Sequence, residues 1–208
     1  MALVREGMDV HKVFISYHHD NDQWYKEELV RSGEQNRIFM NESVDIGDIP
    51  DHLSDQQIRK IIRDERLRLS TVTIVLVGTE TRRRKHVDWE IYSSMYDGAV
   101  NKKSGILVIM LPPTDYGSLH VSHGLPEKAL YPDITSWTSI HSRAEYERRY
   151  PYMPDRLIDN LVKPEAKISV TSWNRINPTS LRFLVEAAFQ NRNHCEYDLS
   201  RSMRRVNS

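Results

Sequence analysis

The chain has one cysteine in 208 residues, Cys195. A single thiol excludes an intrachain disulfide framework and any zinc site built on paired cysteines. No apolar run approaches the roughly 20 residues that a membrane-spanning helix needs. The first residues, Met1 to Gly7, lack the apolar core of a signal peptide, so a soluble, cytoplasmic protein without a membrane partner is expected. Net charge is missing as well, because 29 basic residues balance 29 acidic ones. Nucleic-acid binding rests on a basic footprint, so nucleic acid is not an expected partner. There is no G-x-x-x-x-G-K-[ST] loop, no G-x-G-x-x-G fingerprint and no G-x-S-x-G elbow, which removes the nucleotide sites and the hydrolase triad that those motifs carry. Internal repeats, low-complexity stretches and linkers are also absent.

What is present is an alternation of short apolar strands with helical stretches. Lys12–Tyr17 is apolar and β-branched and breaks into the polar run His18–Asp22. A helix is expected over about Gln23–Ser32, capped by Asp20 or Asp22 and closed by Gly33. Asn36–Met40 reads as a second strand, followed by a long loop over 41–51. Ser54 caps a helix over Asp55–Leu69. A strand at Thr71–Gly78 leads through a basic turn into a helix over 86–97. Gly105–Leu111 is a further buried strand, and Lys167–Trp173 is the last one. Between these, Pro154–Leu161 is a short helix. Asn177-Pro178 opens a final helix by the cap-then-proline rule. Such an order implies βαβ units and one doubly wound, mostly parallel α/β domain with helices on both faces. An irregular insertion is expected around 114–151, and a polar, frayed tail from about 194.

In an open α/β sheet, ligands bind in the crevice at the carboxyl ends of the strands. Glu90 lies one turn into the helix that leaves this crevice after Gly78. With about 100 degrees per residue, Val87, Ile91 and Met95 mark the buried stripe. Glu90 sits at its margin, in an i, i+4 row with His86 and Ser94. Two readings of Glu90 stand: a first-turn acid that favours the helix dipole, or a carboxylate placed for chemistry. Asp88 fits the dipole role better. Trp89, Tyr92 and Tyr96 form a row suited to packing. Arg82–Lys85 reads either as a solvated turn or as a rim that meets a phosphate. The spacing of His120 and His123 suits two metal ligands, but no acidic or cysteine companions stand nearby, so no metal is expected.

Two motifs carry a resemblance. Lys12-Val-Phe-Ile-Ser-Tyr17 followed by Asp20 resembles the opening strand of TIR domains. Arg84-Lys-His-Val-Asp-Trp-Glu90 resembles the glutamate helix of the TIR-like proteins of bacterial antiphage defence, above all those of the Thoeris system. The resemblance spans most of the chain, from Lys12 to the final helix. It implies a flavodoxin-like sheet and a catalytic glutamate, here Glu90, that cleaves NAD. It also implies a cyclic ADP-ribose isomer released as a second messenger, which switches on a separate effector, and TIR domains associate through helix faces. Position 86 departs from the Cys, Ser or Trp that many TIR enzymes carry four residues before the glutamate. The loop over 41–51, with Asp45, occupies the place of the loop that gates the TIR site.

On this reading NAD is substrate, and neither cofactor nor metal is called for. Nicotinamide leaves as a neutral molecule from a cationic ring, so its departure needs no proton, and one carboxylate suffices where a glycosidase uses two. Glu90 would bind the ribose hydroxyls and stabilise the oxocarbenium charge. Ser16, Tyr17, Asp20, Asp45, His86 and Ser94 are the candidate substrate contacts. For Tyr17, stacking on the substrate competes with packing in the sheet; for Asp20, ribose binding competes with helix capping. Two other functions use similar scaffolds. A non-catalytic TIR-like adaptor would not need the glutamate. A receiver would want an acidic pair after the first strand, where Ser16-Tyr17-His18 stands, and a flavin domain would be coloured.

Overall fold

The computed structural model describes residues 10–43, 49–50, 52–99, 101–115 and 120–207. Five strands form one parallel sheet: β1 (His11–Ser16), β2 (Phe39–Asn41), β3 (Val72–Val77), β4 (Gly105–Met110) and β5 (Ser169–Ser172). Their spatial order is β2-β1-β3-β4-β5, and each neighbouring pair runs parallel. Every residue of β3 and β4 is buried. That explains why these strands read as continuous apolar runs: a parallel sheet is covered on both faces.

The crossovers are helical. They comprise α1 (His19–Gln35), α2 (Asp55–Ile61), α3 (Lys85–Met95), α4 (Gly124–Lys128), α5 (Arg143–Arg149), α6 (Asp155–Leu161) and α7 (Pro178–Asn191). One face of the sheet carries Val13, Ile15, Ile74, Leu76, Leu107 and Ile109, which pack with Leu29 of α1 and Leu181, Leu184 and Val185 of α7. The opposite face carries Val75, Val77, Ile106 and Val108, which pack with Val87, Ile91 and Met95 of α3 and Leu157 and Ile158 of α6. The sheet is thus doubly wound in the flavodoxin-like manner. At Gly105 a β-carbon would lie 1.9 Å from the Ala188 carbonyl oxygen, so β4 and α7 approach closely only because that residue is glycine.

Several sequence-based boundaries move. α1 begins at His19, and neither Asp20 nor Asp22 caps it; both lie in its first turn. The helix continues through Gly33, where a β-carbon would strike the Phe39 ring, and ends at Gln35. Arg37 takes a positive φ of 50° in the turn that follows, which delays β2 to Phe39. Ser54 caps α2 in a capping box with Gln57, but the α-helix stops at Ile61 and a wider helical turn continues to Arg66. The insertion is less irregular than expected, since it contains α4 and α5, and Val121 pairs antiparallel with Val170.

The tail is not frayed. Cys195 and Met203 are buried, and Met203 packs in a cluster with Phe14, Ile58 and Trp89. The Arg156 guanidinium donates to the carbonyls of Arg201 and Ser202 at 2.9 and 3.1 Å. Trp89 Nε1 donates to the Arg204 carbonyl at 2.7 Å. Buried donors that need acceptors draw a polar segment onto the surface of the domain. Among the described residues no helix is long and apolar enough to cross a membrane.

Candidate active site

Side chains alternate along a strand. In β1, Val13 and Ile15 therefore face α1 and α7, whereas Phe14 and Ser16 face α2 and α3. Ser16 is the last residue of β1 and is fully buried. Its hydroxyl donates to Glu90 Oε2 at 2.7 Å. Glu90 comes from the second turn of α3 and is itself only 4% exposed. Two elements that are distant in sequence thus meet at the carboxyl end of the sheet because one strand and one helix share a face.

Beside Glu90 lies a cavity of about 330 Å³, lined by Tyr17, His18, His19, Asp20, Arg84, His86, Val87, Glu90 and Asn207. Sites for small molecules span about 300–1,000 Å³. Larger and smaller hollows occur elsewhere on the molecule, but this one joins a buried carboxylate to the strand ends.

Tyr17 packs into the fold and faces the cavity at once. It is buried, donates from its phenol to Gln23 Oε1 at 2.6 Å, and stacks on His19 with ring centroids 4.4 Å apart, yet it also forms part of the cavity wall. Asp20 lines the cavity from an exposed position near His18 Nε2, 3.7 Å away. His86 lines the cavity from the first turn of α3 and meets the Trp89 ring edge-on. Ser94 does not belong to this site. It is fully buried and accepts a hydrogen bond from Thr73 Oγ1 at 2.8 Å, because the helix row that starts at His86 turns under the sheet by its third member. Asp45 lies outside the described residues.

Residues outside the candidate substrate contacts complete the wall. His18 has an imidazole whose pKa falls below its ordinary value, first because it is buried and then because of the Arg84 charge; it is the neutral form that stands here at pH 7. Arg84, one of the four basic residues read either as a solvated turn or as a rim that meets a phosphate, reaches the cavity, with Glu80 at 3.8 Å. Asn207 arrives from the tail, and its Oδ1 accepts from the Lys85 backbone N–H at 2.9 Å across 122 residues of sequence. His18 could have been found from its place directly after a strand; nothing in the sequence signals Asn207.

The basic turn 82–85 is divided among tasks. Arg82 binds Asp155 Oδ1 at 2.7 Å and the Pro151 carbonyl at 3.0 Å, and so ties the turn to α6. Gly78 follows β3 at a point where a β-carbon would lie 2.4 Å from the Asp22 carboxylate, so only glycine admits that acid. Burial pushes the Asp22 carboxyl up to about 6. Among the described residues no group of three or more His, Cys, Asp or Glu side chains could hold a metal ion.

Comparison with known proteins follows this geometry. Residues 14–116 match the family model described as the Thoeris protein ThsB, TIR-like domain. Among solved structures, the TIR domains of the activated Roq1 resistosome directly recognizing the pathogen effector XopQ align with 91% of this chain and 88% of that chain, at 12% identity and a TM-score of 0.34. No curated protein matches the sequence. The matched segment contains the end of β1, all of β3 and α3 and the Ser16–Glu90 contact, and it is this segment that is of the TIR-like ThsB family.

Proposed function

We propose that this protein is an NAD-cleaving enzyme of antiphage defence that acts in the cytoplasm, with Glu90 as its catalytic carboxylate. The observation that carries the reading is a buried glutamate, held by Ser16 at 2.7 Å, in the wall of a cavity at the carboxyl ends of β1 and β3. Membership of residues 14–116 in the ThsB family supports a role in defence.

NAD enters with its nicotinamide ribose against Glu90. The bond from the anomeric carbon to the pyridinium nitrogen breaks, and its electron pair leaves with nicotinamide, which becomes neutral. The positive charge passes to the ribose ring. A fixed, buried carboxylate stabilises that charge more strongly in the transition state than in the substrate. An atom of the adenosine half then attacks the anomeric carbon and gives up a proton to solvent, closing a cyclic ADP-ribose isomer. Water in the same place yields linear ADP-ribose and a proton. Holding the two halves of one molecule together makes ring closure effectively intramolecular. NAD is consumed as substrate with no change of oxidation state, and the cyclic product diffuses to a separate effector.

The test is nicotinamide release from NAD by purified protein, both alone and with extract of phage-infected cells. Glu90→Gln should lower the rate by at least about 10³-fold with little change in melting temperature. If wild type releases no nicotinamide under either condition, or Glu90→Gln matches wild type, the reading is wrong.

A further inference from the structure

The tail is anchored at several points before it reaches the cavity. The backbone N–H of Arg204 donates to Asp88 Oδ2 at 2.8 Å, and Arg205 donates to the Leu53 carbonyl at 2.7 Å. Together with the Arg156 and Trp89 contacts, these fix residues 201–205 along α3 before the chain arrives at Asn207. There the Asn207 side chain performs a task that α3 cannot perform for itself. Its own N-cap residue, Arg84, offers no side-chain acceptor. Instead Asn207 Oδ1 accepts from Lys85, the first residue of the helix. That bond orients the planar amide. With the oxygen committed to the helix end, the other terminus of the amide is an NH₂ group, a donor of two hydrogens. Asn207 stands in the same cavity wall as Arg84, His86 and Glu90.

We propose that Asn207 is a substrate-contacting residue, capping α3 with its oxygen and donating from its NH₂ to an oxygen of the bound dinucleotide. The substrate assignment rests on the NAD-cleaving reading; the contact itself is new to this chain's tail. The tail then serves as a wall of the active site and not as a trailing end.

The experiment compares full-length wild type with Asn207→Ala and Asn207→Asp in steady-state nicotinamide release. Asn207→Asp keeps an oxygen for Lys85 but has no NH₂. Asn207→Ala loses both and carries no charge. Loss of one neutral hydrogen bond, worth about 0.5–1.5 kcal/mol, should raise KM roughly 2- to 10-fold in both variants, with kcat little changed. A wild-type KM in Asn207→Asp would reduce Asn207 to a helix cap and overturn the proposal. A raised KM in Asn207→Asp alone would trace to charge repulsion from the pyrophosphate and would also overturn it. If wild type cleaves NAD and Glu90→Gln does not, either of these results removes the Asn207 contact alone; if wild type cleaves none, both readings fall together.

Discussion

Helix α3 presents two buried acids on opposite flanks, two residues apart. On one flank, Asp88 receives the Arg156 guanidinium through two parallel bonds, Nε to Oδ1 at 2.9 Å and Nη2 to Oδ2 at 3.0 Å. The Arg156 side chain is fully buried, stands against the Tyr92 ring, and spends its remaining hydrogens on tail carbonyls. On the other flank, Glu90 meets the neutral hydroxyl of Ser16 and the cavity. A carboxylate matched by a rigid cation has its charge cancelled and serves the fold. A carboxylate in the wall of a cavity stands where a ligand can reach it. A helix rotation of about 200 degrees between the two positions separates architecture from candidate chemistry.

Breaking the architectural flank should have the largest effect on stability. Arg156→Leu strands the Asp88 carboxylate and releases the tail. Loss of one member of a buried pair costs about 3–5 kcal/mol, which chemical denaturation would read, and hydrogen exchange over 201–207 should accelerate. A loss below about 1 kcal/mol would show that the pair does not hold the tail.

Ser16→Ala tests the other flank. A hydrogen bond to a charged group is worth about 1.5–3 kcal/mol, so nicotinamide release should fall roughly 10- to 100-fold without dispersal of the tail. Unchanged turnover would mean that Ser16 does not position Glu90 for the reaction.

Asp22 sharpens the comparison with the smallest effect. It is another buried acid, with no cation bound to it among the described residues and Thr81 Oγ1 at 3.5 Å. Burial raises its carboxyl from an ordinary value of 3.8 to about 6. Because the folded value lies above the unfolded one, ionisation works against the fold. The cost is absent below about pH 4, grows as pH rises to 6 and is complete above that, at most about 3 kcal/mol for a shift of roughly two pH units. Asp22→Asn should therefore stabilise the protein by about 1–3 kcal/mol at pH 8 and not at pH 3.5. Thermal melts across that range check the sign; equal stabilisation at both ends would refute it.

The sheet was legible in the sequence because burial on both faces leaves an unbroken Val/Ile signature at Val72–Val77 and Gly105–Met110. α7 was legible because Asn177 and Pro178 are local signals, and Asn177 does cap Thr179 and Ser180. α1 was misjudged at its start because Asp20 and Asp22 suit a cap and a first turn equally well. Around Glu90, helix periodicity put His86 and Ser94 in one row, but only His86 lines the cavity, since an i, i+4 row drifts as it climbs and Ser94 bonds Thr73 of β3. The tail was misread because its polarity suggested solvent, whereas its backbone carbonyls were the acceptors that Arg156 and Trp89 required.

Local order in the chain was enough to determine an alternating α/β fold, the strand that ends in Ser16 and the helix that carries Glu90. These depend on propensity, periodicity and capping, which act over a few residues. Tertiary structure alone decided that Ser16 would hold Glu90, that Arg156 would neutralise Asp88, and that Asn207 would cap α3 across 122 residues. Such pairings answer buried polar groups that must find partners, and the partner is whichever segment the folded chain brings within hydrogen-bond reach.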